Sequence, residues 1–315
     1  MNNTVDNEWI VESHYDGKRL DYWIKKEFPS LSFPNICKVL RKGLIKVNKK
    51  KVTNSSILKK DDLIKFYISV NIEKKKVSFP EEIISKSKDW VIFKNQNFIV
   101  LNKPSGIAVQ GGTGVKINID DLLSFLKFNN NKKPMLVHRI DKATSGLLIV
   151  ARDLDSAQKL GTIFKSREIK KKYLAVVHGI PDIKDGLISK PIFVENKFLK
   201  ALTYYSVIKT KKNKSLIIAY PVTGRKHQLR QHFNYIGNPI VGDKKYVLKN
   251  IFKDSSDNLF LHSFSLEFKF ENNNYKFFGD LPEYFKAKIV EFDIGLSFIK
   301  NKFNFRDLLN YYEIK

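Results

Sequence analysis

From Trp90 onward, the chain alternates short apolar runs of strand length with segments whose apolar side chains recur at helical spacing. The predicted strands cover residues 98–101, 147–151, 173–178, 203–209 and 216–222, with a terminal pair at 259–270 and 275–278. The predicted helices cover residues 120–128, 153–164 and 225–235. Asp153 is a suitable N-cap for the second helix, because its carboxylate can accept hydrogen bonds from the free amides of the first turn. This alternation restricts the segment to a mixed α/β fold.

The preceding segment, residues 12–70, has a different order of elements. Its apolar side chains recur at helical spacing in two successive stretches, and two short apolar runs follow. The helices and strands are expected at residues 20–28, 32–43, 44–47 and 63–68. Between residues 71 and 88 the periodicity fades into three consecutive lysines and a lone Pro80. We therefore predict a small N-terminal domain at 12–70 and a linker at 71–88.

The composition limits the partners and compartments open to the chain. Its 57 Lys and Arg against 32 Asp and Glu give a formal charge of +25, which predicts a polyanionic partner such as a nucleic acid. The alternative is that lysine merely serves as the solvent-facing residue. The single cysteine, Cys37, excludes an intramolecular disulfide and a CxxC zinc site and fits a reducing compartment.

No targeting or membrane segment is apparent in the sequence. The apolar runs fall short of the roughly 18 residues that span a bilayer. Residues 1–12 contain no basic residue and no apolar core of a signal peptide. We therefore expect a cytoplasmic protein that has no association with a membrane.

One stretch carries a chemically useful carboxylate. Residues 138–147 read His-Arg-Ile-Asp-Lys-Ala-Thr-Ser-Gly-Leu and lead directly into the predicted strand at 147–151. Asp141 would thus be held on a rigid element at the surface of a cleft, where a nucleophile or a general base is useful. The structural alternative is a loop aspartate that forms an Asx-turn with Thr144 or Ser145.

This stretch resembles the His-Arg-Leu-Asp-x-x-Thr-Ser-Gly-Leu signature of the RluA-type family of RNA pseudouridine synthases, with Ile140 in place of the usual Leu. Three further stretches follow the order of the family's motifs. They are Asn-Lys-Pro-Ser-Gly at 102–106, Lys-Lys-Tyr-Leu-Ala at 171–175 and Gly-Arg-Lys-His-Gln-Leu-Arg-Gln-His at 224–232. The resemblance covers residues 90–285 and implies an enzyme that converts uridine to pseudouridine without a cofactor.

The reaction explains why a carboxylate is required. Pseudouridine forms when the N1–C1′ bond of uridine breaks, the base turns and C5 bonds to C1′. The resemblance implies that Asp141 acts at the sugar, either as a nucleophile or as a base. Because burial in a water-excluding pocket tends to neutralise a carboxylate, a nearby cation must keep it charged. The family resemblance assigns this role to Arg230, which we expect to bind Asp141 in a bidentate pair.

The same resemblance implies roles for the other motif residues. Tyr173 would stack on the target uracil, and Arg139 would enter the RNA stack where the flipped uridine has left. Lys103 and Arg225 would position the RNA backbone. The histidines of these motifs are expected to be structural rather than to act as the base: His138, His227 and His232.

The N-terminal segment resembles the S4-type RNA-binding domain. The matching stretches are Arg-Leu-Asp at 19–21, Arg-Lys-Gly at 41–43, Lys-Val-Asn at 46–48 and Asp-Asp at 61–62. The family usually begins its second helix with Ser-Arg, whereas this chain has Ser-Phe-Pro-Asn at 32–35. We therefore assign RNA contact to three basic residues further along this helix, with a solvated helix face as the alternative: Lys38, Arg41 and Lys42.

These features predict an α+β protein of two domains. A small S4-like RNA-binding domain at 12–70 precedes a pseudouridine synthase domain at 89–292, which we expect to have a mixed, largely antiparallel sheet flanked by helices. Residues 293–315 form a tail without an assigned role. No His, Cys or carboxylate cluster has the spacing of metal ligands, so we expect neither a metal nor a cofactor.

The loop at 104–112 suggests the RluC-like branch of the family, which modifies large-subunit (23S) ribosomal RNA. We therefore expect this RNA to be the partner and the protein to be a monomer. A tRNA-directed synthase of the same family is one alternative. A non-catalytic RNA-binding protein of ribosome assembly is another, although the set of Asp141, Tyr173 and Arg230 argues for an enzyme.

Overall fold

The chain divides into two units, Met1–Ser78 and Phe79–Lys315. The computed structural model describes residues 8–28, 31, 33–67, 79–112, 115–194, 197–246, 256–295 and 297–299. Among these residues, every helix is too short or too polar to cross a lipid bilayer.

The described part of the first unit combines two α-helices with a four-stranded antiparallel sheet. Its elements are β1 (Glu8–Ile10), α1 (Leu20–Glu27), α2 (Phe33–Arg41), β2 (Ile45–Val47), β3 (Lys50–Lys51) and β4 (Leu63–Phe66). The strands pair in the order β1-β4-β2-β3. Trp23 and Ile36 of the two helices share one buried cluster with Ile64 and Phe66 of β4. The predicted order of two helices followed by short strands is present, and β1 is an additional strand ahead of residue 12.

In its described residues, the second unit contains a ten-stranded sheet, a two-stranded hairpin and five α-helices. Its strands are β5 (Val91–Lys94), β6 (Phe98–Lys103), β7 (Met135–Leu136), β8 (Ser145–Ala151), β9 (Lys170–His178), β10 (Asp185–Ile188), β11 (Ile192–Val194), β12 (Lys197–Leu199), β13 (Thr203–Lys211), β14 (Lys214–Pro221), β15 (Leu261–Phe270) and β16 (Asn273–Phe278). Its helices are α3 (Glu81–Asp89), α4 (Ile119–Leu122), α5 (Leu154–Ser166), α6 (Gln228–Tyr235) and α7 (Glu283–Val290).

The main sheet of this unit follows the order β10-β13-β14-β9-β15-β8-β6-β5, with β16 beside β15 and β7 beside β8. Strands β11 and β12 form a separate hairpin. Among the described strands, β8 and β15 make the one parallel pair. The α+β fold and the mixed, largely antiparallel sheet are therefore confirmed.

The central strands are buried on both faces, which explains their uninterrupted apolar sequences. On β9, Leu174 and Val176 belong to a buried cluster with α7, whereas Ala175 and Val177 belong to one with α6. Each large apolar side chain that is buried in this way contributes about 1.5–3 kcal/mol. The predicted N-cap of α5 is confirmed, since the Asp153 carboxylate accepts from the amide of Ser156 at 2.8 Å. Helices therefore pack on both faces of the sheet that carries the loops described below.

The predicted linker at 71–88 is wrong in its second half, where α3 forms. Glu81 and Glu82 lie in the first turn, where acidic side chains interact favourably with the helix dipole. Lys86 pairs with Glu82 one turn later at 2.6 Å. Residues 71–78 of the predicted linker lie outside the described part of the chain.

The predicted tail also begins too early. Ile294 and Ile299 pack into the buried cluster that contains Phe285 and Ile289 of α7. These apolar side chains extend the core of the second unit past residue 293. Residues 301–315 lie outside the described part of the chain.

Candidate active site

A cleft of about 450 Å³ opens in the second unit. Its walls come from the loop before β8, the end of α5, strand β9 and the loop between β14 and α6. This volume is typical of a pocket for a small organic ligand. Asp141, Tyr173 and Arg225 all line the cleft.

Asp141 lies in a loop that is tied to a second loop of the unit. The amide of Gly106 donates to the carbonyl of Lys142 at 2.9 Å. The hydroxyl of Ser105 donates to the carbonyl of Ala143 at 2.7 Å. The Asp141 side chain is 21% exposed. The carboxylate is therefore held in place and partly shielded from water, yet open to a ligand in the cleft.

Gly146 allows this loop to continue into β8 at close range to β15. Its φ is +106°, and a Cβ atom added there would lie 2.3 Å from the carbonyl oxygen of Ser263. Any side chain would therefore collide with the neighbouring backbone. The glycine of the Thr-Ser-Gly sequence permits the parallel pairing of β8 with β15 just after Asp141.

Arg230 of α6 faces two carboxylates. Its Nε and Nη2 donate to Oδ2 and Oδ1 of Asp243, each at 2.7 Å, and both residues are buried. Its Nη1 lies 3.9 Å from Oδ2 of Asp141. The predicted bidentate contact between Arg230 and Asp141 is therefore wrong. Asp243 occupies the bidentate side of the guanidinium, and the remaining nitrogen faces Asp141.

Hydrogen bonding keeps this buried pair ionised. Burial acts to raise the pKa of Asp243, but hydrogen bonds from Arg230 and from the amides of Tyr246 and Lys245 hold that pKa below its ordinary value. Burial likewise acts to lower the pKa of Arg230, and the hydrogen bonds and charge of Asp243 outweigh this effect and raise it. The guanidinium therefore presents a fixed positive charge beside Asp141.

His227 lies on the other side of Asp141. Its Nε2 is 3.7 Å from Oδ1 of Asp141, and its Nδ1 is 2.9 Å from the hydroxyl of Tyr246. With φ at 54°, the residue adopts the left-handed conformation at the start of α6, which is uncommon outside glycine and clusters at functional sites. Burial lowers the pKa of His227, so the ring is neutral near pH 7. The expectation of a purely structural His227 therefore missed its position in the cleft.

The other two motif histidines make structural contacts, as expected. The ring of His138 accepts from the amide of Ile149 at 2.8 Å, and burial lowers its pKa to about 3. The ring of His232 bonds to the hydroxyl of Thr203 at 3.0 Å and to the carbonyl of Lys190 at 2.9 Å. Both rings therefore serve to fix the elements around the cleft.

Tyr173 reaches the cleft from β9. Its ring packs against two apolar clusters, one with Leu229 and Phe233 of α6 and one with Ile140 beside Asp141, and part of it lines the cleft. Burial raises the pKa of Tyr173 to about 12, and the charge of Asp141 acts in the same direction. The hydroxyl is therefore neutral at ordinary pH, and its aromatic ring borders the same space as the Asp141 carboxylate.

Comparison with known proteins identifies the family. Residues 97–235 match the RNA pseudouridylate synthase family. Over 296 residues the chain is 38% identical to ribosomal large subunit pseudouridine synthase C of Rickettsia felis, which covers 87% of this chain and 96% of the relative. The protein of the same name from Buchnera aphidicola subsp. Baizongia pistaciae is 32% identical over 82% of this chain and 88% of the relative. The chain belongs to the RNA pseudouridylate synthase family.

Solved structures share the fold of this synthase. Human RNA Pseudouridylate Synthase Domain Containing 4 superposes with a TM-score of 0.60 at 24% identity, covering 69% of this chain and 97% of that one. Human RNA Pseudouridylate Synthase Domain Containing 1 gives a TM-score of 0.53 at 23% identity, covering 61% and 83%. As a pseudouridine synthase the protein is an isomerase: its product contains all the atoms of its substrate.

Two further arginines of the synthase motifs lie at the cleft. Arg139 is exposed, and its Nη1 donates to Oε1 of Gln110 at 3.5 Å. Arg225 donates from Nε to the carbonyl of Lys200 at 3.1 Å. Since a guanidinium carries five N–H groups, both side chains keep further donors for RNA.

Lys103 is buried, so the predicted contact between this residue and the RNA backbone is wrong. Its side chain is one of the largest fully buried ones, with 1% of the residue exposed. Its Nζ donates to the carbonyls of Pro104, Ile107 and Lys142 at 2.8, 2.9 and 3.3 Å. Burial lowers the pKa of Lys103 to about 7, against the opposing effect of the Asp141 charge. Lys103 therefore positions the loop that carries Asp141.

In the first unit, Lys38, Arg41 and Lys42 are exposed at the end of α2. Their spacing places them on one side of the helix end, where they form a small basic surface.

Two residues of the site were not found from the sequence. Asp243 and Tyr246 lie in the loop after α6, beyond the family match at 97–235. Their only sequence signal is a Gly-Asp-Lys-Lys-Tyr turn at 242–246, which looks like any polar loop. Across the described residues, no group of three or more His, Cys, Asp or Glu side chains is arranged to hold a metal ion.

Proposed function

We propose that this synthase isomerises specific uridines in large-subunit (23S) ribosomal RNA, with Asp141 as its essential carboxylate. The relatives named ribosomal large subunit pseudouridine synthase C support the choice of RNA. The observation that carries the assignment of the site is the position of Asp141. Its carboxylate borders the cleft, with the neutral ring of His227 at 3.7 Å and the guanidinium of Arg230 at 3.9 Å.

Two routes begin from an ionised Asp141. In one, the carboxylate bonds to C1′ as the N1–C1′ bond breaks, and this new bond breaks again when C5 of the turned base attacks C1′. In the other, the carboxylate removes a proton from C2′ of the sugar as the N1–C1′ bond breaks, and the proton returns to C2′ as C5 of the turned base bonds to C1′. In both, C5 then loses its proton and N1 gains one. Arg230 supports either route, because a unit charge at about 4 Å attracts the carboxylate by roughly 4 kcal/mol at an effective dielectric constant of 20. The opposing charge of Asp243 reduces this attraction and fixes the direction of the guanidinium.

Tyr173 and Arg139 fit the handling of a flipped base. A uridine removed from the RNA stack loses the contacts of its neighbours, and an aromatic ring returns about 1–3 kcal/mol of stacking. Tyr173 offers its ring in the wall that also holds Asp141. Arg139, exposed beside the cleft, can fill the gap left in the RNA. Arg225 provides a further cation for the backbone.

The first unit extends the RNA contact. Its two helices and small sheet support the S4-like assignment of residues 12–70, with Lys38, Arg41 and Lys42 as the phosphate contacts. We propose that the protein acts as a monomer, in which one chain supplies Asp141, Tyr173 and Arg230. Their acid-base chemistry supports a reaction without metal or cofactor, and a ribosomal substrate supports a cytoplasmic location.

Mapping of pseudouridines in total RNA tests the choice of substrate. Cells with and without the gene are compared at single-nucleotide resolution. The proposal expects loss of specific pseudouridines in large-subunit rRNA, restored by the wild-type gene. Loss in tRNA alone would identify a tRNA-directed synthase, and unchanged profiles with altered ribosome assembly would indicate the non-catalytic alternative.

A further inference from the structure

One wall of the cleft carries three cations that the reaction described above does not use. Lys165 and Arg167 are exposed at the end of α5, and Lys171 points from β9 to the same side as Tyr173, two residues later. Lys171 is half-buried, and a Cβ atom added to Gly224 would lie 3.9 Å from its Nζ. The ammonium group is therefore close to the loop between β14 and α6.

These cations lack negatively charged partners in the described part of the chain. No carboxylate there approaches the nitrogens of Lys165, Arg167 or Lys171 within 4.0 Å. Neighbouring cations of the same elements are paired: Lys159 of α5 with Asp155 at 2.7 Å, and Lys170 of β9 with Glu267 at 3.2 Å. The wall therefore has a local excess of positive charge at the place where substrate must lie.

Burial makes this excess unfavourable in the free protein. Burial lowers the pKa of Lys171 to about 8, and the charge of Arg167 adds to the shift. A half-buried ammonium group normally has a negatively charged partner that compensates for its burial. An anion that enters the cleft would supply that partner and stabilise the protonated form of Lys171.

The RNA backbone supplies such an anion. Every nucleotide carries a phosphate, and a target uridine whose base reaches Tyr173 must bring its own sugar and phosphates along the cleft. A lysine acts on phosphate as a point charge, and an arginine adds two parallel hydrogen bonds. We propose that Lys165, Arg167 and Lys171 form a subsite for a backbone phosphate beside the target uridine. This inference rests on the proposed function, since it assigns a part of the same substrate.

The first test compares Lys171→Gln with the matched control Lys170→Gln. Lys170 precedes Lys171 on β9 but lies on the other side of the strand and already pairs with Glu267. Binding of a fluorescent RNA that contains the target uridine is measured by anisotropy over a range of salt concentrations. We expect Lys171→Gln to weaken binding about tenfold and to reduce the slope of log Kd against log salt by about one. Lys170→Gln should keep the wild-type values.

A conservative variant separates charge from folding. Lys171→Arg should retain the wild-type salt slope, and all three variants should unfold at temperatures close to the wild-type Tm. Single-turnover rates at saturating RNA should change much less than the half-saturating RNA concentration. A Lys171→Gln protein that keeps the wild-type affinity and slope would overturn the subsite.

Neutral phosphates locate the contact. RNAs with a single methylphosphonate at each phosphate near the target uridine remove one charge at a time. At the phosphate that occupies the subsite, the neutral linkage should weaken binding to wild type but cause no additional loss with Lys171→Gln. If the loss of affinity from the neutral linkage and the loss from Lys171→Gln multiply at every position, Lys171 contacts no phosphate and the proposal is wrong.

The outcome is distinguishable from failure of the proposed function. The RNA used is the one in which the wild-type protein forms pseudouridine. If that substrate is a tRNA, the experiments use a tRNA oligonucleotide, and the expected salt slopes stay the same. If no RNA is converted, binding of the large-subunit fragment still reports whether Lys171 contributes to the salt dependence.

Discussion

Replacing Asp243 with asparagine tests how the site holds its charge. Asp243→Asn keeps the shape of the side chain but removes the negative charge that accepts from Nε and Nη2 of Arg230, each at 2.7 Å. The guanidinium is then left buried with Asp141 as its nearest carboxylate, at 3.9 Å. We expect the variant to lose both stability and catalytic rate.

The size of the loss follows from burial. Removing one partner of a buried ion pair costs about 3–5 kcal/mol, because the other charge remains uncompensated. For a domain of 150–250 residues, each kcal/mol lowers the Tm by roughly 2–4 °C. The expected decrease in Tm is therefore about 6–20 °C. Asn keeps the Oδ1 that accepts from the amides of Lys245 and Tyr246, but it replaces Oδ2, the acceptor of the Arg230 Nε, with an NH2 donor, which acts in the same direction.

The assay is thermal unfolding together with single-turnover pseudouridine formation. Asp257→Asn is the matched control, because Asp257 pairs with Lys244 at 2.6 Å while 90% exposed, and surface pairs contribute little. Arg230→Gln combined with Asp243→Asn should lose less than the sum of the single variants, since no unpaired charge remains. An Asp243→Asn protein with the wild-type Tm and the wild-type single-turnover rate would refute this prediction.

Three further predictions concern separate contacts. Gly146→Ala should abolish folding or lower the free energy of unfolding in urea by more than about 4 kcal/mol, because its Cβ would lie 2.3 Å from the Ser263 carbonyl oxygen. Gly161→Ala is the control: its Cβ would meet open space in α5, and it should raise the free energy of unfolding by up to about 1 kcal/mol. Lys103→Met should lower the free energy of unfolding by several kcal/mol, because it leaves three carbonyls without their donor. A variant with normal stability and weaker RNA binding would contradict the buried role. Burial lowers the pKa of His262 to about 3, so only the unfolded chain gains that proton between pH 6.5 and 3. His262 should therefore reduce stability by about 1.4 kcal/mol for each pH unit below 6.5, and His262→Gln should show a correspondingly shallower pH dependence in urea titrations; parallel curves would contradict this.

The elements of the sheet were predictable because the central strands are apolar on both faces. The prediction for 147–151 lies within β8, whose seven residues are all buried, and the prediction for 173–178 lies within β9. Strands β9 and β14 begin earlier than predicted, since the polar residues Lys170 and Lys214 also pair in the ladders. Apolar periodicity finds the buried middle of a strand and misses its solvated ends.

The helix at the site begins later than predicted. The prediction placed 225–235 in one helix, but α6 begins at Gln228, and His227 takes a left-handed conformation just before it. The side chain of Gln228 explains the late start. Its Oε1 accepts from the Thr223 hydroxyl at 2.6 Å and from the Arg225 amide at 3.1 Å, so it holds the preceding turn out of the helix.

The site itself was partly predictable. The motifs bring Asp141, Tyr173 and Arg230 into one region, as the resemblance implied. The motifs carry no information on Asp243, because its pairing with Arg230 depends on where the polar loop at 242–246 lies in the folded chain. Lys103 was mispredicted because a lysine at the start of a polar loop gives no sign of burial, whereas its Nζ is enclosed by the carbonyls of Pro104 and Ile107 in that loop and of Lys142 beside Asp141.

The central claim is that the carboxylate of Asp141 performs the isomerisation. The most direct measurement is single-turnover pseudouridine formation in a purified large-subunit rRNA fragment by wild-type and Asp141→Asn proteins. Affinity for the same RNA is measured in parallel. Asp141→Asn should bind the RNA with near wild-type affinity and form no pseudouridine. An Asp141→Asn protein that still converts the uridine would contradict it.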